Sequence, residues 1–238
     1  MGSKRRLRNS QKEENVAAKW RPCPLGKHWV SAHIRNRVSS KGKEYSQAVK
    51  GYCRTGSSHK DHLYRDDLIE ISSHFIELTG APQSNDLEFK GKGNQYDHLI
   101  RGWTRYWNEV LDPKDPLDPN LVKALIASES GFNPLAWNKI KGKNAAYGLM
   151  QVLTDSVQLL KNPKELKDHY LNLTEEDMKD PNFSICAGIR WLFRKKEIIE
   201  SRTKKTLSWR DAVYAYKKAD ERLIKRFDKY YQTLLDSK

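Results

Sequence analysis

The sequence predicts a mainly α (α+β) chain in which a helical domain is preceded by a small β-containing basic module. Three observations carry that prediction. From residue 61 onward, apolar residues recur at helical spacing between capping and breaking residues. The only strand-like repeat lies within residues 21–60. Positive charge is concentrated in the same N-terminal quarter: residues 1–60 carry 15 Lys or Arg against 3 Glu, a net +12 of the chain's formal +14. With 37% hydrophobic residues, seven Trp and eleven Tyr, the 238-residue chain is too apolar for a disordered protein and long enough for a sizeable core.

Residues 1–20 are polar and charged and are expected to form a flexible basic arm. Residues 21–60 hold a weak repeat, Val30-Ser-Ala-His-Ile-Arg35 and Val49-Lys-Gly-Tyr-Cys-Arg54. Alternation along an extended chain gives each copy one apolar face, with His33, Arg35, Tyr52 and Arg54 on the other. The intervening SSKGKEYS supplies turn residues, so a small strand pair is expected. Such a basic surface attracts polyanions, whether nucleic acid, anionic membrane or cell-wall polymer, or it is simply solvated.

Residues 61–238 are read as the helical domain. Leu63, Leu68, Ile69, Ile71, Phe75 and Ile76 predict a helix over about 60–78, stopped by Thr79-Gly80-Ala81-Pro82. Residues 83–95 read as a loop and 98–110 as a helix, broken by DPKDPLDP at 112–119 because proline lacks a backbone donor and disfavours helix before it. Asp118 is a natural N-cap with Pro119 at the first helical position, and the helix that follows is apolar over most of its surface. Further helices are expected around 154–169, 181–200, 208–218 and 219–235, with a short hairpin possible near 137–147 and no strand pattern otherwise after residue 60.

No run approaches the roughly 18 apolar residues of a membrane span. MGSKRRLR resembles the start of a signal peptide, but the polar RNSQKEEN follows where an apolar stretch is required, so no Sec route is visible. Cys23, Cys53 and Cys186 are too few for a disulfide framework and fit a reduced cytosolic origin. The repeat puts Cys53 at the position of Ile34, on the apolar face, where a free cysteine simply packs. A zinc site from Cys23, His28, Cys53 and His59 is the next reading, and a Cys23–Cys53 disulfide formed after export the least favoured. Cys186, within Phe183-x-Ile185-Cys-Ala187, is expected in the core.

Leu121, Leu125 and Glu129 are spaced i, i+4, i+8 and share a helical stripe, which aims the carboxylate toward the side of buried leucines. Desolvation there raises a carboxyl's proton affinity into the range useful to a general acid. The alternative is a helix-terminal Glu paired with a Lys at the surface.

Glu129-Ser130-x-Phe132-Asn133-Pro134 is followed by Gly148-Leu149-Met150-Gln151-Val152, then Asp180-Pro181-Asn182 with Ala187-Gly188-Ile189-Arg190-Trp191-Leu192, then Trp209-Arg210-Asp211-Ala212-Val213-Tyr214-Ala215-Tyr216. These four blocks, in this order over about residues 118–218, resemble the soluble lytic transglycosylase (SLT) family of the lysozyme-like superfamily. The resemblance implies a lysozyme-like core over about 97–235 that cleaves the β-1,4 bond of peptidoglycan glycan strands, with Glu129 as acid and then base. It implies that Ser130, Asn138, Tyr147, Gly148, Met150, Gln151 and Tyr216 surround the substrate. No metal or organic cofactor is implied.

Two departures stand out: Asn138 occupies a position where the family usually has Ser, and Lys217 one where it usually has Asn. An insertion over roughly Lys139–Asn144 lengthens the intervening loop. Asp155 could supply the second carboxylate of a hydrolytic lysozyme, although Leu153-Thr154-Asp155-Ser156 reads better as a helix cap. A catalytically idle wall-binding or nucleic-acid-binding protein is the other alternative. With its substrate outside the cytoplasm and no visible export signal, the chain is expected to be made in the cytoplasm and to act in the periplasm or cell wall after non-Sec delivery. It would then be an antibacterial effector with an immunity protein, or a phage or conjugation wall-opening enzyme docking to a delivery apparatus. Nucleic acid is the less favoured partner.

Overall fold

The computed structural model describes residues 27–30, 33–38, 42, 44–49, 52–55, 62–140, 144–166, 168–217 and 220–237. The expected 1–20 arm lies outside the described residues, as do Cys23 and His59. Within the basic segment, β1 (Lys27–Val30) pairs antiparallel with β4 (Tyr52–Thr55), and β2 (His33–Val38) with β3 (Glu44–Val49). The registers put Val30 opposite Tyr52 and His33 opposite Val49, so the strands of the two repeat copies pair antiparallel. Cys53 is disulfide-bonded, and a sulfur held in a disulfide cannot serve zinc as a thiolate. That removes one of the four proposed zinc ligands and corrects the expectation of a free, reduced Cys53.

The remainder is mainly helical, as expected. β5 (His62–Leu63) leads into α1 (Arg65–Ser72) and a 3-10 turn at Phe75–Glu77. The expected 60–78 helix is therefore shorter at both ends. β5 pairs in parallel with β9 (Tyr170–Leu171), a contact between segments more than 100 residues apart, and two residues are too few to show a strand pattern in sequence.

The core is built on α2 (Asp97–Leu111), α3 (Pro119–Ser130) and α5 (Pro181–Thr203). α3 is buried all round, Leu121 through Ser128, because it is sandwiched by α2 and by α7 (Glu221–Asp236). Asp118 caps it as anticipated, accepting from the Asn120 N–H at 2.9 Å, and Tyr231 of α7 donates to the same carboxylate at 2.9 Å. Trp103 and Trp107 of α2 are fully buried, and each indole N–H is satisfied on α5, by Asn182 Oδ1 at 2.7 Å and the Cys186 carbonyl at 3.1 Å. Truncating either ring to Ala would cost roughly 3–5 kcal/mol. Cys186 is a free thiol in that core, as expected.

α6 (Trp209–Tyr216) starts at a Ser208–Asp211 capping box and is pinned by the Trp209 indole N–H donating to the Asp115 carbonyl at 2.7 Å. The expected 154–169 helix is corrected: α4 spans only Thr154–Leu159. Asn162-Pro163 ends it, since proline pushes the residue before it out of the helical region. Asn162 Oδ1 instead accepts from the Lys164 N–H at 2.9 Å. No described helix is long and apolar enough to cross a membrane.

Candidate active site

Glu129 lies in the last turn of α3, one residue before the helix ends at Ser130. Gly131 closes the helix at φ +57°, donating its N–H to the Ala127 carbonyl at 3.1 Å, and Phe132 follows, also left-handed at φ +61°. That costly Phe conformation is held by burial: the ring packs edge-on against Phe89, with centroids 5.4 Å apart. Asn133 then folds the chain over, its Oδ1 accepting from the Leu135 N–H at 3.0 Å.

This turn feeds a three-stranded antiparallel sheet of β6 (Trp137–Lys139), β7 (Ala145–Tyr147) and β8 (Val152–Leu153). The hairpin read near 137–147 is present. Gly148–Gln151 is the tight connection from β7 to β8. Gly148 adopts φ +71°, and a Cβ there would overlap the Met178 carbonyl, so glycine is required twice over. The Gln151 side-chain amide donates to the Ala136 carbonyl at 3.1 Å and the Gly148 carbonyl at 3.0 Å, stitching the segment after Glu129 to the Gly148–Gln151 turn. Two sequence blocks separated by the insertion are thus hydrogen-bonded to each other.

α6 supplies the facing side. The Tyr216 hydroxyl donates to the Met150 carbonyl at 2.8 Å, and the Lys217 ammonium donates to Glu129 Oε1 at 2.8 Å. The Lys217 side chain is 0% exposed and that of Glu129 11%. Lys217 thus occupies Oε1 of a side chain that keeps a small exposed fraction.

The electrostatics pull Glu129 in two directions. Burial raises its proton affinity and is the larger effect; the Lys217 charge and hydrogen bond lower it, Arg226 adds to that, and Asp220 opposes it. The net result is a carboxyl that keeps its proton above the usual range. The negative end of the α3 dipole acts in the same sense. Burial pushes Lys217 down, against the pull of Glu129. Tyr216 is held well above the ordinary phenol range by burial and then by the Glu129 charge, so its hydroxyl stays a donor.

The other expected site residues sit as follows. Ser130 is half-buried, with its hydroxyl donating back to the Ile126 carbonyl at 3.2 Å. Asn138 is exposed on β6 opposite Ala146, and Tyr147 is half-buried opposite Trp137. Met150 is fully buried, so its side chain belongs to the core and its backbone carbonyl, through Tyr216, is what reaches this site. Asp155 is not the N-cap of α4: the cap position is Leu153, and Asp155 lies in the first turn, accepting from Asn144 Nδ2 at 2.7 Å. A cavity of about 430 Å³ opens beside the Gly131–Pro134 turn, lined also by Lys92, Gln95 and Tyr96; Glu129 is not on its wall.

Lys217, a cation where the family usually has an amide, is the contact of Glu129 that the sequence alone does not place. The sequence offers Glu129 either as an acid or as the partner of a Lys. The structure joins those readings, because the paired Glu is also the buried one.

No curated protein and no solved structure matches the chain significantly. The transglycosylase SLT domain family matches residues 106–235, more than half of the 238 residues, and spans α3, the β6–β8 sheet, α5, α6 and nearly all of α7. The chain belongs to the transglycosylase SLT domain family, whose domain acts on peptidoglycan.

Proposed function

We propose that this chain is a lytic transglycosylase that cleaves the β-1,4 bond between N-acetylmuramic acid and N-acetylglucosamine, with Glu129 as the single catalytic carboxylate. The observation that carries the reading is the setting of Glu129: 11% exposed, at the end of a buried helix, inclined to keep its proton, paired with Lys217 and within the electrostatic reach of Tyr216, which is tied to the Gly148–Gln151 turn.

A protonated Glu129 donates its proton to the glycosidic oxygen as the C1–O bond breaks. The N-acetyl group of the sugar assists as internal nucleophile. The resulting carboxylate then takes the proton of the muramic C6 hydroxyl as O6 closes on C1, giving a 1,6-anhydro ring without consuming water. Most glycosidases need a second carboxylate. The acids that could serve have other engagements: Asp155 holds Asn144, and Asp220, whose charge acts on Glu129, caps α7 by accepting from the Arg222 and Leu223 N–H groups. Both facts support chemistry with one acid.

The Cys53 disulfide supports work in an oxidising space outside the cytoplasm, where the wall lies. The +12 charge of residues 1–60 supports docking to anionic wall polymers. Mass spectrometry of the muropeptides released from purified sacculi tests the reaction. Products ending in 1,6-anhydro-muramic acid are expected, whereas reducing muramic ends would make the chain a hydrolytic muramidase.

A further inference from the structure

The Glu129–Lys217 contact does more than neutralise a buried charge. We propose that Lys217 is a positioning residue that clamps Oε1 of Glu129, so that Oε2 alone exchanges protons with the glycan, and that its charge favours the carboxylate left after the first proton transfer. This rests on the reading of Glu129 as the acid.

The geometry supports the assignment. The ammonium is 2.8 Å from Oε1 and fully enclosed, and Lys217 follows directly on Tyr216, whose hydroxyl is fixed to the Met150 carbonyl. The Lys217 backbone N–H is bonded to the Val213 carbonyl at 2.9 Å, so the side chain springs from the end of an anchored helix. Burying an ammonium costs several kcal/mol, roughly, and a buried ion pair is seldom a gain in stability over an apolar pair. Such a pair beside a proposed acid therefore calls for a chemical reason. A neutral amide at this position would also hold the carboxyl by a hydrogen bond, but it would not stabilise the anion by charge.

The charged and titratable groups facing Glu129 are Lys217 and Tyr216 from α6, Asp220 at the start of α7 and Arg226 within it. Burial and Asp220 favour the protonated acid, while Lys217 and Arg226 favour the anion; Lys217 is the larger of those two and the one in contact. In the first half-reaction the proton leaves Oε2 and Lys217 stabilises the carboxylate formed. In the second the carboxylate recovers a proton from the C6 hydroxyl. Lys217 keeps its own protons throughout, so the cycle balances.

The test compares the full chain with Lys217→Met, which removes donor and charge, and Lys217→Gln, which keeps a donor and removes the charge. Two readouts are taken: the pH profile of muropeptide release from sacculi, and a carbon-13 NMR titration of the Glu129 carboxyl, assigned by its absence in Glu129→Gln. Lys217→Met is expected to lower the maximal rate roughly 10- to 100-fold, as loss of positioning does. Its alkaline limb and its Glu129 titration should both move to higher pH. Lys217→Gln should regain much of the rate while its Glu129 titration stays displaced upward. An unchanged Glu129 titration in both variants would overturn the proposal, as would wild-type rate and profile in Lys217→Met. Equal sacculus digestion by wild type and Glu129→Gln would instead sink the catalytic reading, and the titration would still decide whether Lys217 governs Glu129.

Discussion

The Tyr216 hydroxyl donates to the Met150 carbonyl at 2.8 Å, joining α6 to the β7–β8 turn next to Glu129. This bond fixes the distance between the two sides of the site. Tyr216→Phe keeps the ring and leaves the carbonyl without that donor. We expect a stability loss of about 1–3 kcal/mol and a fall in sacculus digestion larger than the unfolded fraction explains. Chemical denaturation and turbidity loss, measured on one preparation, separate the two effects.

Gly148→Ala meets both a left-handed backbone and the Met178 carbonyl. The strain alone is about 1–2 kcal/mol, and the overlap adds to it. The midpoint of urea unfolding should drop clearly, and a wild-type midpoint would show that the turn relaxes freely.

Most helix starts were legible in the sequence, and one was announced by its cap. Asp118-Pro119 marks a start that the structure uses, and the helices expected from 181, 208 and 219 begin within two residues of those positions, at caps Asp180, Ser208 and Asp220 that only the structure identifies. The expected 154–169 helix overran Asn162-Pro163, a break that the sequence itself carries. The β5–β9 pair was missed because two residues from each strand carry no period, and parallel pairing across such a distance is decided by packing. The place of Glu129 was readable from its stripe on α3. The ammonium of Lys217 on Oε1 was not, because a contact across 88 residues depends on how α6 is seated against α3.

Lys123 is a second buried lysine, with 0% side-chain exposure, donating to the Gln83 carbonyl at 2.9 Å and Asn94 Oδ1 at 2.8 Å. It also stands 2.8 Å from Asp97 Oδ1 as a close ion pair. Lys123→Met strands that carboxylate and should cost about 3–5 kcal/mol near neutral pH. Asp97 is already raised by burial, with Lys123 pulling it back. Without Lys123, its folded-state proton affinity exceeds the unfolded value by more. A group raised on folding contributes stability below its unfolded value and loses it as pH rises through the folded one. The deficit of Lys123→Met relative to wild type should therefore shrink as pH falls through the carboxylate range. Thermal melts across pH check it, and a pH-independent deficit would contradict it.

Asn138 is exposed on β6 and supports no packing. Asn138→Ala should change stability by less than about 0.5 kcal/mol. If its amide meets the glycan, digestion falls while the melting temperature holds. Equal digestion removes Asn138 from the site.

The central claim is that one carboxylate, Glu129, performs the cleavage. Its most direct test is Glu129→Gln, which keeps the size of the side chain and an oxygen acceptor for Lys217 while removing the transferable proton. Sacculi treated with folded wild-type protein should release muropeptides detectable by mass spectrometry, and the same amount of folded Glu129→Gln should release essentially none. Equal release by the two would contradict the account.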